Sequence, residues 1–186
     1  MSQSQIEQNI LNAVQVLRHV HRETNALIAS LDDALAGRGW QSLNKSWLGL
    51  WKTGAQLDGT DRWMATILNR AYAKPAEPRR VILVEIYLAP ANGGAPVIAM
   101  AGLSLAPKSI AKNLWDAGGW EWPESGPWFN AADSVVKLDS ESMRRVVPKA
   151  LHGRGRLVPL CGLDKTRLVE LVVEPVLELV QSVPLE

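Results

Sequence analysis

From Ile6 onward, residues able to share one helix face return at alternating steps of four and three: Ile6, Ile10, Ala13, Leu17, Val20, Thr24, Leu27, Leu31 and Ala34. That spacing is the seam of a coiled coil. Ser4-Gln5-Ile6-Glu7 has the S-x-x-E arrangement that satisfies free amides at a helix start, and Gly37 and Gly39 supply residues suited to a helix end. The pattern predicts a long amphipathic helix over 4–36, about 32 residues and roughly 48 Å at ~1.5 Å per residue. Such a rod rivals the diameter of a small domain, so something must cover its seam. The candidates are the chain's own sheet, its C-terminal helix, or the same helix of a second copy. Leu11, Val14, Ile28 and Leu35 widen the stripe, which favours packing against more than one neighbour.

Residues 40–57 satisfy helical and strand spacings alike and predict neither. Asp58-Gly59-Thr60-Asp61 reads as a turn and cap, and Trp63, Met64, Ile67, Leu68, Ala71 and Tyr72 then recur at helical spacing, predicting a second helix that ends before Pro75. Arg80 to Ala89 is almost continuously apolar and rich in β-branched residues, as expected of a strand buried on both faces. Asn92-Gly93-Gly94 supplies turn chemistry and Val97 to Leu105 a returning strand, so 80–105 is expected to be a central hairpin. A short helix is expected after Pro107, with Ile110, Ala111, Leu114 and Trp115 on one face and Gly118-Gly119 at its end.

Further on, Ser134 to Leu138 suggests a short strand, and Met143 to Leu151 a helical patch broken by Pro148. Leu157 to Cys161 suggests a strand that Pro159 places at an edge or a bulge. The last helix, over 164–181, opens with Asp164 as N-cap and Leu163 and Leu168 as a hydrophobic staple. Only Glu170, Glu174 and Glu178 form a polar stripe on it, so it must be covered on more than one side, and Pro175 is expected to bend it. Together these elements predict a single α+β domain over 1–186, with a mostly antiparallel sheet of four or five strands flanked by the two helices.

Composition narrows the functions. The 186 residues are 47% apolar and 21% charged with a formal net charge of +1, as in an ordinary soluble domain. No apolar run approaches the length needed to cross a bilayer and the N-terminus has no export signal, so the expected location is the cytoplasm and no membrane association is expected. One cysteine, Cys161, cannot bridge internally, and its apolar strand context reads as an inert packed thiol. Three histidines offer no zinc-ligand set, and His19 and His21 point about 200° apart on a helix. No metal and no cofactor is expected.

No catalytic motif is present: neither the dinucleotide nor the phosphate-loop glycine pattern, neither H-E-x-x-H nor G-x-S-x-G. Asp58 and Asp61 read as turn caps, and Glu85 as a strand carboxyl for which Arg70 or Lys52 could be the cation. Eight tryptophans against one phenylalanine is unusual, and Trp120, Trp122 and Trp128 share a Gly/Pro-punctuated segment. Packing or a partner surface is the commoner use of such rings, stacking on a base the sharper one. Basic residues outnumber acidic ones between Lys137 and Arg167, and His152-Gly153-Arg154-Gly155-Arg156 reads as a flexible loop presenting two guanidinium forks.

Two functions follow. The leading expectation is a non-enzymatic protein-protein interaction or assembly protein, a subunit of a homo-oligomer or of a multi-component cytosolic system of bacterial type, with Ile6, Ile10, Leu17, Val20, Leu27 and Leu31 as its interface. The alternative is a nucleotide or RNA binder using His152, Arg154 and Arg156 with the tryptophan segment; a pI near 7.9 weighs against general nucleic-acid binding.

Overall fold

The computed structural model describes residues 3–43, 67–88, 94–111, 136–138 and 149–185. Helix α1 (Gln3–Ala36) leads into a six-stranded sheet of β1 (Gln41–Ser42), β2 (Ile67–Lys74), β3 (Glu77–Tyr87), β4 (Val97–Leu105), β5 (Val136–Leu138) and β6 (Ala150–Pro159). The chain then forms α2 (Lys165–Leu168), a π-helical stretch (Val169–Val173) and α3 (Glu174–Ser182). The sheet order is β1-β2-β3-β4-β6-β5, and every neighbouring pair is antiparallel. Four long strands carry it, with two short ones at its edges, so the α+β architecture matches the sequence pattern.

The expected 80–105 hairpin is the centre of the sheet. Val81 to Tyr87 are all buried, because β3 lies between β2 and β4 and both its faces are covered. Where a helix was expected up to Pro75, β2 is a strand paired with β3 from Ile67 opposite Tyr87 to Ala73 opposite Val81. Leu68 and Tyr72 alternate with Ala71, and the first two enter one core cluster while Ala71 enters the other. Pro75 sits in the tight turn joining the strands, across which Lys74 and Glu77 pair at 3.3 Å. Fixed φ suits a turn corner as well as a helix stop, and the exposed ladder of β3 decides between them.

Two other expectations change. The His152 to Arg156 run is not a loop but the middle of β6, with Gly153 opposite Leu103 and Gly155 opposite Ala101. Neither glycine reaches positive φ there, and both are buried. Cys161 is exposed in the turn after β6 rather than packed in a strand. Pro159 is the last residue of β6, and among the described residues β5 pairs with Gly153 to Gly155 only.

The C-terminal helix starts as its sequence indicates: Asp164 Oδ1 accepts the Arg167 amide at 2.8 Å. Leu163 packs against the core that Leu168 enters, as in a staple. Ahead of Pro175 the winding loosens to a π turn, in which the Glu174 amide bonds the Val169 carbonyl. Where a bend was expected, the described change is this wider turn, which accommodates the ring and the amide it lacks. Val172, Val173, Val176, Leu179 and Val180 then pack on the sheet with Ile82, Ile98 and Met100. At Gly102 of β4 the helix backbone comes so close that a Cβ would stand 2.3 Å from Val180 Cα. The helix ends against two arginines of β3: Arg80 donates to the carbonyls of Val180 and Val183, and Arg79 to those of Leu105 and Leu185. Cations there satisfy the last free carbonyls and oppose the negative end of the dipole.

Candidate interaction surface

Helix α1 is one rod of 34 residues with two environments. Toward its C-terminus, Thr24, Ile28, Leu31 and Leu35 are buried at the 4-3-4 spacing of the seam. Thr24 keeps its hydroxyl satisfied by donating to the Val20 carbonyl at 2.8 Å. Beside this stripe, Asp32 accepts from Arg70 at 2.8 Å and from the Tyr72 hydroxyl at 2.7 Å, fixing the helix to β2. Burial first, and the Asp32 hydrogen bond second, hold the Tyr72 hydroxyl well above the usual phenol range, so it remains a donor. The helix closes in a Schellman motif: the Trp40 amide bonds the Leu35 carbonyl and the Gly39 amide that of Ala36, with Gly39 at φ 82°. Leu35 and Trp40 are both buried and belong to the same core cluster, the hydrophobic contact that accompanies such a cap. Arg38 then pairs with Glu174 at the start of α3.

Toward its N-terminus the same stripe lies open. On it Ile6, Ile10 and Val14 are 45%, 59% and 40% exposed, against 0% for Leu35, while Leu11 and Val16, 55% and 61% exposed, flank it on opposite sides. Leu17 and Val20 are half-buried where the helix meets the body of the molecule. The polar residues between them tie to their own helix, Gln5 to Asn9 and Gln8 to Asn12, four residues apart. From Gln3 to Leu17 the only charge is Glu7. Charges reappear at Arg18 and Arg22, both exposed, and at the exposed His19–Glu23 pair, 3.8 Å apart.

The six residues expected to form one interface are therefore divided. Leu31 is buried in the chain's own core and Leu27 packs partly against it, because the sheet and the C-terminal helix reach that far along α1. Ile6 and Ile10 have no such cover. The C-terminal helix, expected to need cover on several sides, finds it on the sheet and on α1.

The remaining candidates are placed as follows. His152, Arg154 and Arg156 alternate along β6, on the sheet face that carries the C-terminal helix, opposite Ser104, Gly102 and Met100. Trp120, Trp122, Trp128, Asp58, Asp61, Lys52 and the end of the helix expected after Pro107 lie outside the described residues. Arg70 does not meet Glu85, because it projects from the other face of β2 toward Asp32. Glu85 instead accepts from the Tyr87 hydroxyl at 2.5 Å, two residues along the same strand. Burial pushes its carboxyl well above the usual carboxylate range, and the tyrosine bond opposes this only in part. Among the described residues no three of His, Cys, Asp and Glu gather as metal ligands, and no helix is long and apolar enough to cross a membrane.

Comparison of the chain with protein-family models, with curated proteins and with solved structures finds no match.

Proposed function

We infer that this chain is a non-enzymatic assembly protein of the cytoplasm that pairs with a second copy of itself through the free half of α1. The observation that carries this reading is the open stripe of Ile6, Ile10 and Val14, which continues in phase the stripe that is buried further along the same helix. A solvated surface helix ordinarily spreads charges over its exposed positions, whereas interface centres are depleted of them. With one charge between Gln3 and Leu17, the free half has the composition of an interface centre.

The same features favour a second copy over an unlike partner. A nearly uncharged face carries no electrostatic code for selecting an unlike surface, but it complements itself. Antiparallel pairing about a two-fold axis sets Ile6 across from Leu17 and Ile10 across from Ala13, alternating large and small side chains within the open part of the seam. It brings Arg18 to within about one helical turn (~5.4 Å) of Glu7 of the partner subunit and sends the two sheets to opposite ends of the helix pair. Parallel pairing would instead bring the two Arg18 and Arg22 bands together. Ile6, Ile10 and Val14 of each copy face this seam with the half-buried Leu17, a small apolar interface for which a weak, micromolar dimer is expected.

Sedimentation equilibrium of the whole chain across a dilution series tests this. The expected result is a dimer that dissociates in the micromolar range and that Ile10→Asp weakens at least 30-fold with unchanged circular dichroism. A wild-type monomer at every concentration up to about 1 mM, where the gain from so small an interface is exhausted, would overturn it.

A further inference from the structure

We propose that the helix-side face of β6 is a binding site for linked phosphate groups, as in a polyphosphate or a nucleoside polyphosphate, held by Arg154 and Arg156 with His152 beside them. The proposal is independent of the pairing of α1, since it uses the opposite end of the sheet order. Alternation along the strand sets the three side chains on one face at intervals of about 6.5–7 Å, and a strand holds that spacing fixed where a loop would not. Arg154 is exposed, while Arg156 and His152 are half-buried. None of the three has an acidic partner among the described residues, although four other arginine and lysine side chains of the molecule do.

Two buried polar atoms border the row without a hydrogen bond: Arg156 Nε, and the hydroxyl of the fully buried Ser104, which stands directly opposite His152 in the ladder. Both atoms are shielded from solvent, so what the row offers a ligand is the exposed Arg154 and the outer parts of the half-buried Arg156 and His152. An anion docking end-on to a guanidinium would bond its two terminal nitrogens together, a bidentate mode that phosphate oxygens match. The neighbouring fork of Arg154 lies within reach of the next phosphate of the same ligand. The row holds two guanidinium groups and one imidazole within a single strand and belongs to a chain of net charge +1, which suits a compact ligand better than a nucleic-acid backbone.

Isothermal titration of the whole chain with tripolyphosphate, adenosine triphosphate, adenosine and a 12-nucleotide single strand tests the site. Tripolyphosphate and adenosine triphosphate are expected to bind and adenosine to give no heat; equal affinity for the first two identifies free polyphosphate as the ligand, tighter adenosine triphosphate a nucleotide. Arg154→Glu, at an exposed position, is expected to weaken both at least tenfold with unchanged melting temperature. Arg156→Lys keeps the charge but removes the fork, and is expected to weaken both at least threefold. No binding of tripolyphosphate at millimolar concentration, equal affinity in folded Arg154→Glu, adenosine binding as well as its triphosphate, or the single strand binding more tightly than either phosphate would each overturn the proposal.

Discussion

The two halves of α1 are written in the same apolar rhythm and end in opposite environments. Between Thr24 and Leu35 the stripe is covered by the sheet and the C-terminal helix; between Ile6 and Val14 it is open. An apolar seam therefore specifies that a helix face will be covered, without specifying by what. The features that separate the halves are polar. The docked half carries Asp32, tied to Arg70 and Tyr72, and the closing cap that runs into Trp40. The free half carries glutamine and asparagine side chains bonded back to their own helix. Specific polar contacts fix the docked half in one place on its own body.

The sharpest way to break the comparison is at the helix that is fully docked. Gly102→Ala places a Cβ against the Val180 backbone at 2.3 Å, and backbone cannot swing aside as a side-chain tip can. Lifting α3 from β4 would expose most of one core, so a loss of roughly 4 kcal/mol or more is expected, enough to abolish cooperative thermal unfolding. A melting curve like that of the wild type would show that α3 tolerates displacement and that its packing is not what anchors the fold.

Next comes a matched pair on α1. Leu35→Ala removes a fully buried side chain and is expected to cost about 2–5 kcal/mol in urea unfolding, whereas Ile10→Ala is expected to cost under about 0.5 kcal/mol when the chain is dilute enough to be monomeric. Above the dimer midpoint the Ile10→Ala penalty should grow, because coupled association adds to apparent stability. Equal penalties at all concentrations would mean that the free half is covered within one copy, and the comparison would fail.

How much of this was legible in the sequence depends on whether a contact is local. The β3–β4 hairpin can be read because burial on both faces writes a continuous apolar run, and the Asp164 cap because its partner is three residues away. β2 reads as a helix in sequence because Leu68, Ala71 and Tyr72 fit helical spacing, and only the distant ladder of β3 selects the strand. The middle of β6 reads as a loop because alternate glycines resemble one until β4 and β5 pair with them. The Asp32–Arg70–Tyr72 cluster joins residues 38 and 40 positions apart, and no spacing rule announces it. Of the candidate surface, the stripe itself was visible; where cover stops along it was not, since the apolar spacing is identical on either side of Thr24. The thinning of charge before Arg18 was the one available signal.

The smallest expected effect concerns the other face of the sheet, where Glu85 is buried among apolar residues and bonded to Tyr87. Its carboxyl is held protonated by burial, above the range in which an unfolded glutamate ionises. Above the usual carboxylate pKa the unfolded chain therefore binds fewer protons here than the folded one, and stability falls with rising pH until the buried carboxyl itself ionises. Glu85→Gln keeps an oxygen for the Tyr87 hydroxyl and removes the titration. At pH 4 the variant should match the wild type within about 1 kcal/mol, since a neutral acid and an amide make similar hydrogen bonds. As pH rises toward 8 the variant should become progressively the more stable of the two in urea titrations. A gap of the opposite sign, with the wild type gaining on the variant as pH rises, would mean that the carboxylate is stabilised as an anion by a cation on that face.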